Sequence, residues 1–298
     1  MTAIAAPSVA RRSAVRSLAV ALDRHPRVRL ALLLGLPLGT LALVYFGSLL
    51  ILLINSFWSR DSFTGLVVRE FTLENFQELA SPLFRTVVLR TVGMAAAVTV
   101  TCAVIAFPIA YYMARVASPR WRGVLVVAVL TPLWASYLIK VYSWRLILAE
   151  NGVLNWALEP LGLRGPGFGE IGLWLVFTYL WLPYMILPVF AGLDRIPSSL
   201  LEASADLGGR GARTFRHVVL PLVFPAVVAG SIFTFSLTLG DYIAPSLVTS
   251  GQQFIGNLIL ANFGKPDLPL AAAQSLVPLA IMVIYLLVAR RLGAFEAL

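Results

Sequence analysis

The chain is 298 residues long, 59% hydrophobic and only 12% charged, about half the charge that a soluble domain carries. The deficit sits in long uncharged blocks. These exclude a soluble helical protein, and their lack of two-residue alternation excludes a membrane barrel, which leaves a helical membrane bundle. The net charge of +9 is set by topology and by anionic lipid rather than by nucleic acid.

In chain order, residues 1–29 are rich in Ala, Ser and Arg and read as a flexible cytoplasmic tail. Leu30 to Ile54 is uncharged and too long for a signal-peptide core. No small-residue cleavage site follows it, so it reads as a retained span and insertion signal. The next loop contains Thr72-Leu-Glu-Asn75, the expected start of a short interfacial helix. Thr91 to Ala114 is the second span. Gly123 to Ile139 is a shorter block that continues toward Leu148 past Lys140 and Arg145. Those two cations are expected at headgroups, in water, or paired with Glu150. A loop at about 149–170 carries Asn151-Gly-Val-Leu-Asn155 and a glycine-rich run, Gly162 to Gly169. Ile171 to Leu193, Val218 to Gly240 and Leu268 to Ala289 complete the set.

The five long blocks run 22 to 25 residues each. At about 1.5 Å per residue, each crosses a hydrocarbon core roughly 30 Å thick. The expected fold class is an all-α membrane protein with about six spans. The membrane domain would cover 30–292, and 293–298 would form a short cytoplasmic C-terminus. Prolines at 108, 132, 183, 188, 225 and 245 suit a gated passage better than a rigid anchor.

With six spans, both termini and the second and fourth loops share one side. That side holds Arg11, Arg12, Arg16, Arg24, Arg27, Arg29, Arg115, Arg120, Arg122, Arg195, Arg210, Arg213, Arg216, Arg290 and Arg291. These are 15 of the 23 basic residues, against 5 of the 14 acidic ones, so the balance is +10 there and −1 elsewhere. The positive side is cytoplasmic, which places the protein in the cell membrane with both termini inside.

Catalytic and cofactor chemistry finds little support. Cys102 is alone and reads as a small packing residue. His25 and His217 lack companion ligands, so no metal is expected. There is no Gly-x-x-x-x-Gly-Lys-Ser/Thr phosphate loop and no Ser/His/Asp or His-Glu-x-x-His grouping. The chain is expected to be a non-enzyme with no cofactor.

The fourth loop, 194–219, is the most informative segment. Ser199 and Glu202 have capping-box spacing, so a short helix should start near Leu200. Gly208 and Gly209 should end it, and a second short helix should lead to Leu220-Pro221. Ala203, Ser204 and Ala205 offer a small-residue surface. On these grounds alone the segment also fits an ordinary amphipathic connector. The pattern Glu202-Ala203-Ser204, three residues, Gly208, nine residues, Val218, one residue, Leu220-Pro221 resembles the EAA loop of ABC importer permeases. Ser204 stands where the family has a second alanine, and Val218 where it has isoleucine. The resemblance runs from about Phe71 to Arg291 and implies a type I importer permease fold. It also implies that the loop is a coupling helix seated in a groove of the ATP-hydrolysing subunit. Implied partners are two ATPase subunits, a second permease chain (identical or different) and an extracytoplasmic solute-binding protein.

Phe107-Pro-Ile-Ala-Tyr-Tyr-Met-Ala-Arg115, Asn151 to Asn155, Tyr184-Met-Ile-Leu-Pro188 and Leu239-Gly-Asp-Tyr-Ile-Ala-Pro245 resemble the spermidine/putrescine branch. Branches for iron, phosphonate, opine or thiamine share parts of these motifs. Asp241, inside a long apolar stretch, is the expected contact for a cationic solute, unless it serves as an ion-pair partner or helix cap. Tyr242, Trp134, Tyr137, Tyr142 and Trp144 are the candidate aromatic partners, with lipid anchoring or packing as the alternative. A stand-alone secondary transporter would need no ATPase and no such loop.

Overall fold

The computed structural model describes residues 26–61, 63–265 and 267–293. Most of the expected cytoplasmic tail, and the last five residues of the expected C-terminus, lie outside the described residues. The chain divides into two units, residues 1–55 and 56–298.

In the first unit, α1 is one helix, Pro26–Asn55, with Pro37 inside it. Thr40 Oγ1 donates back to the carbonyls of Leu36 (2.9 Å) and Pro37 (3.0 Å). In an apolar setting this satisfies a hydroxyl that has no water to turn to.

The second unit opens with a two-stranded antiparallel ribbon, β1 (Ser59–Arg60) on β2 (Val67–Val68), pairing Ser59 with Val68. Asp61 closes its turn, accepting from the N–H groups of Thr64 (2.9 Å) and Phe63 (2.7 Å). Those two N–H groups hold its carboxyl below the usual carboxylate range. The interfacial helix expected after Thr72 is α2, Glu74–Leu79. Asn75 Nδ2 ties it back to the carbonyls of Ser56 (2.9 Å) and Trp58 (2.7 Å).

The long helices follow. α3 (Pro82–Tyr111) starts on the Ser81 side chain, which accepts from Phe84 N–H, with Pro82 in the first turn. It runs on through a π turn, Tyr112–Val116. α4 (Pro119–Trp134) and α5 (Tyr137–Leu148) meet at 92°. α6 is Val153–Leu158 and α7 is Glu170–Asp194. α8 (Ser198–Asp206) and α9 (Gly211–Thr214) lie in the fourth loop. A π turn, Phe215–Val219, leads into α10, Leu220–Gly240. α11 (Ile243–Val248), α12 (Ile255–Gly264) and α13 (Leu268–Arg291) complete the chain.

Among the described residues, five helices are long and apolar enough to cross a membrane, and six spans result if the α4–α5 pair counts as one. The expectation of six therefore holds only with a correction. The third span is broken at Ala135-Ser136, where the backbone turns extended. α4 alone, at about 24 Å, is short for a span, and α5 leaves it at nearly a right angle. Pro132 inside the last turn of α4 removes a backbone donor just before the break.

The core is the three-helix contact of α3, α7 and α10. α3 offers Val98, Cys102, Ala106 and Ala110, all fully buried, one every four residues along one face. Cys102 is the packing residue expected, its Sγ 3.6 Å from the Thr178 carbonyl. α7 and α10 approach at glycines: a Cβ on Gly192 would fall 2.6 Å from Ala226 Cβ, and one on Gly230 2.8 Å from Met185 Sδ. Without a hydrophobic driving force between helices in lipid, such close backbone approach is what makes association favourable. Thr234 donates to Thr99 across the α3–α10 contact (3.2 Å). α13 docks by Tyr285, stacked on Phe235 at 4.2 Å and donating to Ser231 Oγ at 2.8 Å.

Candidate functional site

The fourth loop is built from short-range contacts. α8 begins at Ser198 with Pro197 at the cap position and no side-chain cap. The Ser199–Glu202 capping box is therefore a misreading. Pro197 ends the extended approach two residues earlier, so Ser199 is already inside the helix. Glu202 and Ala203 are exposed instead. The stop signal holds. Gly208 takes φ +76°, Gly208 N–H reaches the Ala205 carbonyl (2.9 Å), and Gly209 N–H reaches that of Ser204 (2.8 Å). This is the paired closing pattern that glycine makes possible at a helix end.

Ser204, which stands where the resemblance expects alanine, has a local role. Its hydroxyl lies 2.8 Å from Thr214 Oγ1 and joins α8 to α9. Gly209 sits between them, where a Cβ would come within 2.6 Å of both the Ser204 carbonyl and Oγ. The expected second helix does not stop before the fifth span; it is continuous from Gly211 to Gly240. Pro221 has no N–H for the carbonyl four residues back and would crowd it. The π turn over Phe215–Val219 relieves that conflict. Leu220 and Pro221 are exposed at the mouth of α10.

The site around Asp241 is assembled over long range. α10 ends at Asp241, whose Oδ1 accepts the N–H groups of Ile243 and Ala244, each at 2.9 Å. Asp241 is thus a cap for α11. Its other oxygen accepts from the Tyr137 hydroxyl, at the start of α5. Tyr137 stacks on Trp181 of α7 (6.1 Å between ring centres, 12° between planes). From Trp181 an aromatic row continues to Tyr184 (6.0 Å) and Phe233 (6.3 Å from Tyr184). A cavity of about 370 Å³ opens between Tyr137, Trp181, Ser236, Gly240, Asp241 and Tyr242. A Cβ on Gly256 would run into the Asp241 carbonyl, so α12 starts directly against this site.

The structure therefore gathers Asp241, Tyr137 and Tyr242. Trp134, 90% exposed, and Tyr142, half exposed, do not line the cavity. Trp144 packs on Tyr179 at 5.5 Å. Among the described residues, Lys140, Arg145 and Glu150 form no ion pair, so the expected Glu150 pairing is not made. No group of His, Cys, Asp and Glu among the described residues could hold a metal.

A family profile described as binding-protein-dependent transport system inner membrane component matches residues 106–295. The chain belongs to this family. It is 49% identical over 290 residues to the inner membrane ABC transporter permease protein YdcU of Escherichia coli K12, covering 92% of this chain and 93% of that one. It is 32% identical to the spermidine/putrescine transport system permease protein PotB of Haemophilus influenzae, over 72% of this chain and 76% of PotB. Its fold matches a chain of a bacterial alginate ABC transporter solved in complex with an alginate pentasaccharide-bound periplasmic protein. There the TM-score is 0.73 at 15% identity, covering 93% and 98% of the two chains. The protein is thus a permease subunit of an ABC importer, multi-pass in the inner membrane.

Sequence reasoning missed two parts of this permease. Trp181 and Tyr184 line up with Phe177 on one face of α7, at positions i, i+4 and i+7, a signal that was available. The Tyr137–Asp241 pairing left none, since the two residues are far apart in the chain.

Proposed function

We propose that this permease subunit imports a polyamine-type cation. In this reading an extracytoplasmic binding protein delivers the solute, and two ATPase subunits drive transport from the cytoplasm through this chain and a second permease. Both termini and loop 194–219 lie in the cytoplasm. ATP-driven closure of the ATPase pair draws the loops together and opens the outer side. Glu202, Ala203 and Ser204 present the docking surface, Gly208 sets its end, and Leu220-Pro221 carry it into the span.

The observation that carries the solute reading is Asp241 on a cavity walled by Tyr137 and Trp181. An ammonium group there meets a carboxylate and aromatic faces together, the combination that favours a desolvated cation. The PotB relatives are named for spermidine and putrescine, which supports the same class. Asp241→Asn keeps an oxygen for the Ile243 and Ala244 caps, removes the charge, and puts an amide donor where the other oxygen had accepted from Tyr137, whose hydroxyl can turn to accept it. A charge-assisted contact contributes roughly 1.5–3 kcal/mol, or about ten- to a hundred-fold in binding. Uptake of radiolabelled spermidine, in a strain lacking other polyamine importers, should fall by that factor while the complex still assembles. No spermidine uptake by the wild-type complex would remove the solute reading. Normal uptake by Asp241→Asn would remove only the role of Asp241. The orientation is checked by a cysteine at Ser204 in a Cys102→Ala background, which should resist an impermeant thiol reagent in intact cells.

A further inference from the structure

α3 touches both ends of the fourth loop. At the entrance, Arg115 Nη2, in the π turn that ends α3, donates to the carbonyls of Leu193 (2.5 Å) and Ile196 (2.6 Å). Beside it Arg122 pairs with Asp194 at 2.5 Å and covers the Phe190 ring at 5.0 Å. At the exit, Phe107 of α3 meets Phe215 edge-on at 5.2 Å. The acceptors of Arg115 belong to the closing turn of α7, where helix carbonyls lack partners and the dipole favours a cation. An arginine needed only for topology would point to water. Arg115 is half-buried, and its two bonds join residues 78 and 81 apart in sequence.

The far end of α3 is also fixed. Arg90 pairs with Glu170 (2.8 Å) and donates to the Gln253 carbonyl (3.1 Å), and Thr91 Oγ1 accepts from Ile255 N–H (3.0 Å). That segment is the one whose Gly256 abuts Asp241.

We infer that Arg115 is a positioning residue for coupling: by bonding α3 to the loop entrance, it makes α3 the strut that carries loop displacement to the outer cavity. This rests on the proposed seating of the loop on the ATPase. Spatial continuity alone does not establish coupling, so the test reads coupling directly.

The experiment uses the whole complex, reconstituted with its ATPase subunits, second permease and binding protein. A reporter cysteine replaces Ser246, exposed on α11, in a Cys102→Ala background. Its labelling rate by an impermeant maleimide is measured with and without ATP plus vanadate, beside ATP hydrolysis. With Arg115 present, nucleotide trapping should change the rate. Arg115→Gln should lower that response about tenfold, the weight of a charge-assisted bond, while hydrolysis continues. Arg115→Lys, which keeps the charge without the planar fork, should restore part of it. A wild-type response in Arg115→Gln overturns the inference. Where that variant does not assemble, a wild-type response in Arg115→Lys overturns it. No nucleotide response with Arg115 in place removes both this inference and the loop-docking reading beneath it.

Discussion

The contacts that shape the interior of loop 194–219 join near neighbours. Ser204 meets Thr214 ten residues on, and Gly209 closes on Ser204 five residues back. At the Asp241 cavity the central bond, Tyr137 to Asp241, spans 104 residues, and the wall comes from α5, α7 and α10. The loop's interior is a local fold, tied to the spans at its two ends. The cavity exists only because helix breaks at Ala135-Ser136 and at Asp241 come together in space. A point change in the loop should therefore act on one surface. A change at the cavity should be shared among several elements and partly absorbed.

The sharpest contrast comes from Gly208→Val. Nothing lies within 4 Å of a Cβ at Gly208, so the penalty is conformational alone. At φ +76° it amounts to about 1–2 kcal/mol for an ordinary residue, and more for a β-branched one. The closing turn should re-form elsewhere and turn Glu202 and Ala203 away from the partner. The expected result is an inserted chain that no longer co-purifies with ATPase and has lost transport. Glu202→Lys, which reverses charge on the exposed face, should do the same without altering the fold. Full assembly with full uptake in both would erase the distinction between the regions.

Tyr137→Phe should have a smaller effect. It removes the hydroxyl from Asp241 but keeps the ring on Trp181, and water in the cavity can replace the lost donor. Uptake should fall about threefold to tenfold, less than for Asp241→Asn. A larger loss than Asp241→Asn would mean that the hydroxyl, not the carboxylate, carries the site. The smallest effect belongs to Ser204→Ala. It deletes one half-buried hydroxyl pair, a matter of about 0.5–1.5 kcal/mol, and leaves uptake within about twofold. Its trace should be a slightly lower unfolding temperature of the purified complex.

The same contrast explains what could be read from the chain. Gly208 announces its conformation by being glycine, and the stop of α8 was legible from it. The five long spans were legible because uncharged length is a one-dimensional property. The errors fall where a neighbour decides. Ser199 and Glu202 have the spacing of a capping box, but Pro197 moves the helix start. The block from Gly123 to Leu148 has the length of a span, but it bends at Ala135-Ser136. Asp241 was visible as a costly carboxylate, but its service as the cap of α11 and its pairing with Tyr137 depend on how far apart residues meet. Trp134 and Tyr142 share a segment with Tyr137 yet stay out of the cavity, because composition says nothing of which side of a helix meets a neighbour.

The π turn between Thr214 and Leu220 has one more consequence. A π turn is an α-helix with one residue too many, and each residue advances a helix by about 100°. Deleting any single residue of Phe215–Val219 would leave Glu202, Ala203 and Gly208 untouched and the span intact. The turn would then close as plain α-helix, and everything upstream would keep nearly its present angle about the axis of α10, because the extra residue is absorbed within the turn. The same deletion made in the regular helix of α10 would find no such slack and would swing Glu202, Ala203 and Gly208 by about 100° about that axis, so the π turn is a stretch where a residue can be lost without re-aiming the loop.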